Sequence, residues 1–265
     1  MSKKKIIITI SCVLLVLSLI ASGSVALFGM KIALSHEKTT EAATQATRKP
    51  AQQAAATPDK KGIIQPQKLT RVLKASGHGY DDIKNSTQLI TVYENDDGYV
   101  IECFECSGGE WRSVDIKSSA FVGKNGTIDP DEKTEGDYCS PQGLYSLGFA
   151  FGTKDNPGTA MEYRSVYDGV YWVDDVESPL YNQWVETGSR NVTWNSAEKM
   201  WTYDEYNYGV VVNYNTDPVV KNKGSAIFLH VGSSYTAGCV ASDEQTIVAI
   251  LKWLTPDADP MILIN

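Results

Sequence analysis

Histidine is scarce in this chain, with three residues in 265, and cysteine is limited to five. Cys12 falls in an apolar N-terminal stretch and His36 precedes the folded part. That leaves two histidines and four cysteines for the domain. Cys103 and Cys106 form a CxxC, but a tetrahedral zinc site needs two further ligands. Only His78 is available to it besides His230, so no metal site is expected, and no cofactor is implied. Positive charge is also in deficit: 24 Lys and Arg stand against 32 Asp and Glu, a formal net charge of -8. The folded part holds no Lys/Arg block, which removes the electrostatic footprint of nucleic-acid binding. No internal repeat is present.

Long apolar runs are absent except at the N-terminus. Lys3, Lys4 and Lys5 precede an uncharged stretch from Ile6 to Met30. Cationic residues ahead of an apolar run keep the N-terminus cytoplasmic and send the rest of the chain across the membrane. The run is longer than the roughly 20 residues that span a bilayer. Residues 1–34 are therefore expected to be a cytoplasmic stub and single-pass transmembrane segment with an extracytoplasmic domain behind it. If the small-residue sites near Ala21 or Ala26 are cut, they are instead a signal that releases the protein to the wall. Residues 35–67, rich in Ala, Thr, Gln and Lys with Pro50, Pro58 and Pro66, are too poor in apolar side chains to fold and read as a disordered linker.

The folded domain is expected over 68–265 and reads as mostly β. Gln88–Glu94 and Tyr99–Phe104 flank the turn Asn95-Asp96-Asp97-Gly98, and Ser107-Gly108-Gly109 turns the chain again before Trp111. Phe121-Val122, Leu144–Phe149, Tyr171–Val173 and Gly209–Tyr214 are further short strands, and Met261–Ile264 is a candidate edge or closing strand. Helical spacing is clear over Ser242–Leu254, with Ser242 and Gln245 as a capping box. A second short helix is expected at Ser196–Trp201. This pattern predicts an antiparallel sheet or β-sandwich. Cys103, Cys106 and Cys139 are expected to supply a structural disulfide in an oxidising exterior. The pairs Asp81-Asp82, Asp96-Asp97 and Asp174-Asp175 are read as structural, two of them in turns where Asp bonds its own backbone.

Chemistry concentrates in GSAIFLHVGSSYTAGCVASDEQTIVAILKWL, from Gly224 to Leu254. An apolar strand over Ala226–Leu229 is closed by His230, a loop of small residues comes next, and Gly238-Cys239 precedes the helix. A thiolate is the nucleophilic form of cysteine, and its pKa falls beside a histidine or near a helix N-terminus. Backbone N–H groups at Gly238 and Cys239 can receive an oxyanion, with glycine permitting close approach. A Cys–His pair of this kind serves acyl transfer through a thioester, although a buried thiol and a satisfied core histidine also fit the spacing.

The segment FLHVGSSYTAGCVAS resembles the active-site segment of YkuD-type L,D-transpeptidases. Gly123-Lys124-Asn125-Gly126, Lys133, Glu135-Gly136-Asp137, Pro141, Gly143, Gly148 to Gly152, Trp172 to Asp175 and Tyr181-Asn182 continue the likeness from about Gln88 onward. The resemblance implies a YkuD-like β-sandwich with one or two short helices, and Cys-dependent cross-linking of peptidoglycan stem peptides. It implies Cys239 as nucleophile, His230 as general base, the Val231 carbonyl as its orienter and Gly238 in the oxyanion hole. Ala237 and Ala241 stand where the commoner motif carries His and Arg or Asn. Binding of a substrate carboxylate therefore falls to another cation, with Lys124 and Arg164 the candidates beside Tyr235 and Thr236. Water in place of the acceptor amine would make the same residues an L,D-carboxypeptidase. A decayed site would leave a non-catalytic cell-wall-binding domain.

Overall fold

The protein is represented by a computed structural model that describes residues 57–58, 64–188 and 193–265. Residues 1–34 lie outside the described residues, as does most of 35–67; among the described residues no helix is long and apolar enough to cross a membrane. The packed domain starts ahead of 68. The Gln65 side chain is buried, donating to Gly109 O at 2.9 Å and accepting the Trp111 N–H at 3.1 Å.

Helix α1 (Gln67–Ala75) comes next, where sequence reading had found no helix. It is only nine residues long, so its apolar stripe is reduced to Leu69, Val72 and Leu73. Three residues give little periodic signal; their burial against Leu89, Phe104, Trp111 and Leu263 supplies what propensity does not.

The strands are β1 (Gln88–Asn95), β2 (Gly98–Ser107), β3 (Glu110–Ser119), β4 (Gly143–Gly152), β5 (Tyr163–Ser165), β6 (Val170–Val173), β7 (Gln183–Glu186), β8 (Gly209–Val212), β9 (Phe228–Val231), β10 (Val240–Ser242) and β11 (Met261–Ile264). Helix α2 spans Glu244–Trp253. Nine strands form one sheet in the order β10-β9-β8-β4-β11-β1-β2-β3, with β5 beside β4. Two residues past β3, Phe121 exchanges backbone bonds of 2.8 Å with Ala241 of β10. The two ends of the sheet thus meet, and the sheet curls around α2, which packs against β3, β8 and β9.

The expected two-sheet sandwich is corrected to this single curled sheet. The join is made by β11, which is central and not an edge. It pairs parallel with β1 and antiparallel with β4, making continuous what strand periodicity alone reads as separate halves. Residues 196–201 form no α-helix; Glu198–Lys199 extends a small second sheet against β6, and a 3₁₀ turn lies beyond it at Met200–Thr202.

Period-2 alternation sorts the side chains. Ala150, Val210, Val212, Leu229 and Val240 face α2, with its Ile247, Ile250 and Leu251, and Leu254 just beyond it. Each fully buried Val, Leu or Ile among them contributes about 1.5–3 kcal/mol. Phe151, Val211 and Phe228 face outward and are covered by Val170, Trp172, Met200 and Tyr206. Cys103 and Cys106, three apart on β2, point to opposite faces, and Cys139 lies on a distant loop near Asn125. All four described cysteines are free, so the expected disulfide does not form.

Candidate active site

Strand β9 runs parallel to β10 with Leu229 opposite Val240 and His230 opposite Ala241. Alternation then puts Phe228, His230, Cys239 and Ala241 on the outward face. The loop Gly232–Gly238 supplies the crossover that brings His230 and Cys239 onto neighbouring strands. His230 lies inside β9, which Val231 closes, and the strand starts two residues later than its apolar run suggests.

The helix starts within two residues of the expected Ser242, but Cys239 does not sit directly against its first turn. Strand β10 intervenes, and the N-cap of α2 is Asp243, which accepts the Thr246 N–H at 2.9 Å. Ser242, expected to cap the helix, is buried in β10 and donates to Ser119 O at 2.7 Å. Burial pushes the Cys239 thiol well above the ordinary value, and the negative charge of Glu198 adds to the rise. The Phe228 N–H and the buried Lys133 ammonium oppose it more weakly. Cys239 Sγ donates to Ala226 O at 3.1 Å and accepts the Phe228 N–H at 3.4 Å. The expected low-pKa thiolate is therefore corrected to a resting thiol.

His230 is kept neutral in the same way, burial lowering its pKa against the Val231 bond and the Glu205 charge. Its Nδ1 lies 2.8 Å from Val231 O. A carbonyl only accepts, so Nδ1 carries the proton and Nε2 holds the free lone pair. Tyr206 packs edge-on against the imidazole, centroids 5.6 Å apart.

The floor beneath the thiol is rigid. Ala226 adopts φ +54°, a left-handed conformation that costs a non-glycine residue of order 1–3 kcal/mol. Asn182 holds it there: its Oδ1 accepts the Ala226 N–H at 3.0 Å and Trp172 Nε1–H at 2.9 Å. Its Nδ2 donates to Tyr214 O and Asn215 O. The Cys239 carbonyl is clamped by Ser140 Oγ at 2.8 Å and Thr236 Oγ1 at 2.7 Å. Gly238 has φ +152°, and a Cβ there would stand 3.1 Å from Cys139 O. Its N–H donates to Thr236 Oγ1 at 3.1 Å, so one of the two N–H groups expected to receive an oxyanion is engaged.

A cavity of about 610 Å³ opens over Cys239 and His230. Val231, Tyr235, Thr236 and Gly238 line it, and Tyr235 is 73% exposed at its rim. Lys124 and Arg164 are not in the lining. Lys124 is exposed, its N–H donating to Thr236 O at 2.9 Å. Arg164 pairs with Glu162 at 2.7 Å and lies 3.6 Å over the Phe149 ring. The cation acting on the thiol is Lys133, only 2% exposed and bound to Asp137 at 2.6 Å. Sequence reading also missed Glu135, Glu198 and Tyr206, which line the cavity, and set Asp174 aside as structural. Asp175 is structural, accepting from Glu177 and Asn195, but Asp174 faces the cavity with Oδ1 enclosed and unpartnered. Among the described residues no group of three or more His, Cys, Asp or Glu is placed to hold a metal ion.

A family model for YkuD, the L,D-transpeptidase catalytic domain, matches residues 82–263. Comparison with curated proteins gives no match. Among solved structures, Bd1075 of Bdellovibrio bacteriovorus is 18% identical with a TM-score of 0.36, over 69% of this chain and 49% of that one. The helical cell shape determining protein Pgp2 of Campylobacter jejuni is 17% identical with a TM-score of 0.36, over 70% of this chain and 52% of that one. The alignments span about half the length of each of those two chains.

Proposed function

Since the chain belongs to the L,D-transpeptidase catalytic-domain family (YkuD), we propose that it is a Cys239-dependent acyltransferase that cross-links peptidoglycan stem peptides. The observation that carries this reading is the tautomer of His230. With Nδ1–H given to the Val231 carbonyl at 2.8 Å, Nε2 is the basic nitrogen on the face that Cys239 shares.

The chemistry starts from a neutral pair. Nε2 removes the Sγ proton as the sulfur attacks the carbonyl between an L-centred diamino acid and a terminal D-Ala. Negative charge develops on the carbonyl oxygen, and the Cys239 N–H is the donor we assign to it. Gly238 N–H joins it if it swings from Thr236 Oγ1. Collapse expels the D-Ala amine, which takes the proton back from the imidazolium and leaves a thioester on Sγ. An amine from a neighbouring stem, giving its proton to Nε2, then resolves the thioester. A thiol that ionises only in step with attack fits a buried sulfur held by a backbone carbonyl.

We assign Lys124, on the loop that bonds Thr236, to the substrate carboxylate in preference to Arg164, which is engaged by Glu162 and Phe149. Export or membrane anchoring is assigned to residues 1–34 on the strength of their Lys3–Lys5 and uncharged run. Incubation of the protein with a disaccharide tetrapeptide, with products identified by mass, tests the reading. Cross-linked dimer is expected. Tripeptide alone would make the protein an L,D-carboxypeptidase, and unchanged substrate would refute acyl transfer on this substrate.

A further inference from the structure

The cavity over Cys239 has one pronounced chemical asymmetry. Five carboxylates line it, from Glu135, Asp174, Glu198, Asp204 and Glu205, and among the described residues no Lys or Arg does. Two of these acids come from the small second sheet. Glu198 is in register with Trp172 of β6, and Asp174 lies immediately after that strand. Glu198 accepts a hydrogen bond from the Tyr206 hydroxyl, and the Tyr206 ring packs on His230. Asp174 Oδ1 is enclosed without any donor, a state that costs free energy unless something positive approaches. Glu135 is already engaged by Tyr181 and Ser225.

Resting on the transpeptidase reading, we propose that Glu198 and Asp174 form the acyl-acceptor subsite and bind the ammonium group of the incoming stem. Glu198 and Asp174 line the same cavity as Cys239 and His230, so a cation seated on them shares that cavity with the thioester it must attack. A neutral water has no such attraction to the pair, so the wall favours the amine over hydrolysis. The groups facing Glu198 are Tyr206, Tyr203, Asp174, Glu135 and Cys239, none of them cationic. Burial with the charges of Asp174 and Glu135 holds the Glu198 carboxyl at about 7, the Tyr206 bond opposing, so it exchanges a proton near neutrality. The bound R–NH₃⁺ gives one proton to ionised Glu198. The free amine then adds to the thioester carbon and its second proton passes to His230 Nε2. The C–S bond breaks, and the departing sulfur of Cys239 takes that proton from the imidazolium. The products are one amide and one thiol.

The test is the partition of the thioester between aminolysis and hydrolysis, which is insensitive to how fast the thioester forms. The full chain is given disaccharide tetrapeptide as both donor and acceptor, and dimer and tripeptide are counted by mass. Glu198→Gln still accepts from Tyr206, and Asp174→Asn is nearly isosteric, so either variant can report if the other misfolds. A charged hydrogen bond lost to the acceptor predicts a fall in the dimer-to-tripeptide ratio of about 10-fold or more in each. Donor consumption should fall less than that ratio. An unchanged ratio with donor still consumed overturns the subsite alone. Tripeptide as the sole product of the unmutated protein also overturns it. No donor consumption by the unmutated protein overturns it together with the reading it rests on.

Discussion

Alkylation of Cys239 discriminates a resting thiol from a preformed thiolate–imidazolium pair. The perturbation is pH, between 6 and 10, with iodoacetamide in excess and the modified peptide identified by mass so that half-buried Cys106 does not confuse the reading. An ordinary thiol titrates near 8.5, and each unit of upward displacement lowers the reactive thiolate about tenfold. Here burial and the Glu198 charge both push upward, the sulfur is bonded to Ala226 O, and Cys239 is 6% exposed. The rate at pH 7.5 should therefore be at least about 10-fold below that of the same cysteine in the urea-unfolded chain. It should climb through pH 10 without a plateau. Glu198→Gln, which removes the second cause of the rise, should increase it. A plateau reached below pH 7 would refute this reasoning, because it would show a thiolate already stabilised by His230.

Cys239→Ala should abolish product, and His230→Ala should lower turnover by roughly 10²–10⁴, the span of a general base, as read from initial rates. Glu198 changes stability with pH: between 4.5 and about 7 the folded chain keeps a proton that the unfolded chain has released, so stability falls as pH rises across that window. At about 1.4 kcal/mol per unit, Glu198→Gln should be up to about 3 kcal/mol more stable relative to the parent at pH 8 than at pH 4.5. Equal differences in urea melts at both pH values would contradict that. A chain lacking 1–62 should fold like the parent, whereas one lacking 1–67 orphans the Trp111 N–H and should lose about 1–3 kcal/mol in denaturant melts. Finally, the thiol should be acylated by a carbapenem, adding the mass of one drug molecule, and the adduct should vanish in Cys239→Ala.

What the sequence determined by itself is local chemistry and local period. The β-rich alternation, the hairpin turns at Asn95–Gly98 and Ser107–Gly109 and the helical run near the C-terminus were legible because each depends on neighbours within a few residues. Tertiary structure decided the rest. Only the insertion of Met261–Ile264 between two distant strands, parallel to one and antiparallel to the other, makes one curled sheet instead of a sandwich, and hydrophobic period carries no information about partners. Helix α1 escaped notice because three buried side chains stabilise it from outside its own length. Glu198 gave no signal because an isolated acid looks like solvated surface until Tyr206 bonds it, and Asp174 read as structural beside Asp175 because only the fold turns the two carboxylates apart. The state of the nucleophile was hidden for the same reason. A cysteine beside a histidine reads as a lowered pKa, but desolvation and a remote carboxylate decide the sign, and both are properties of the folded cavity.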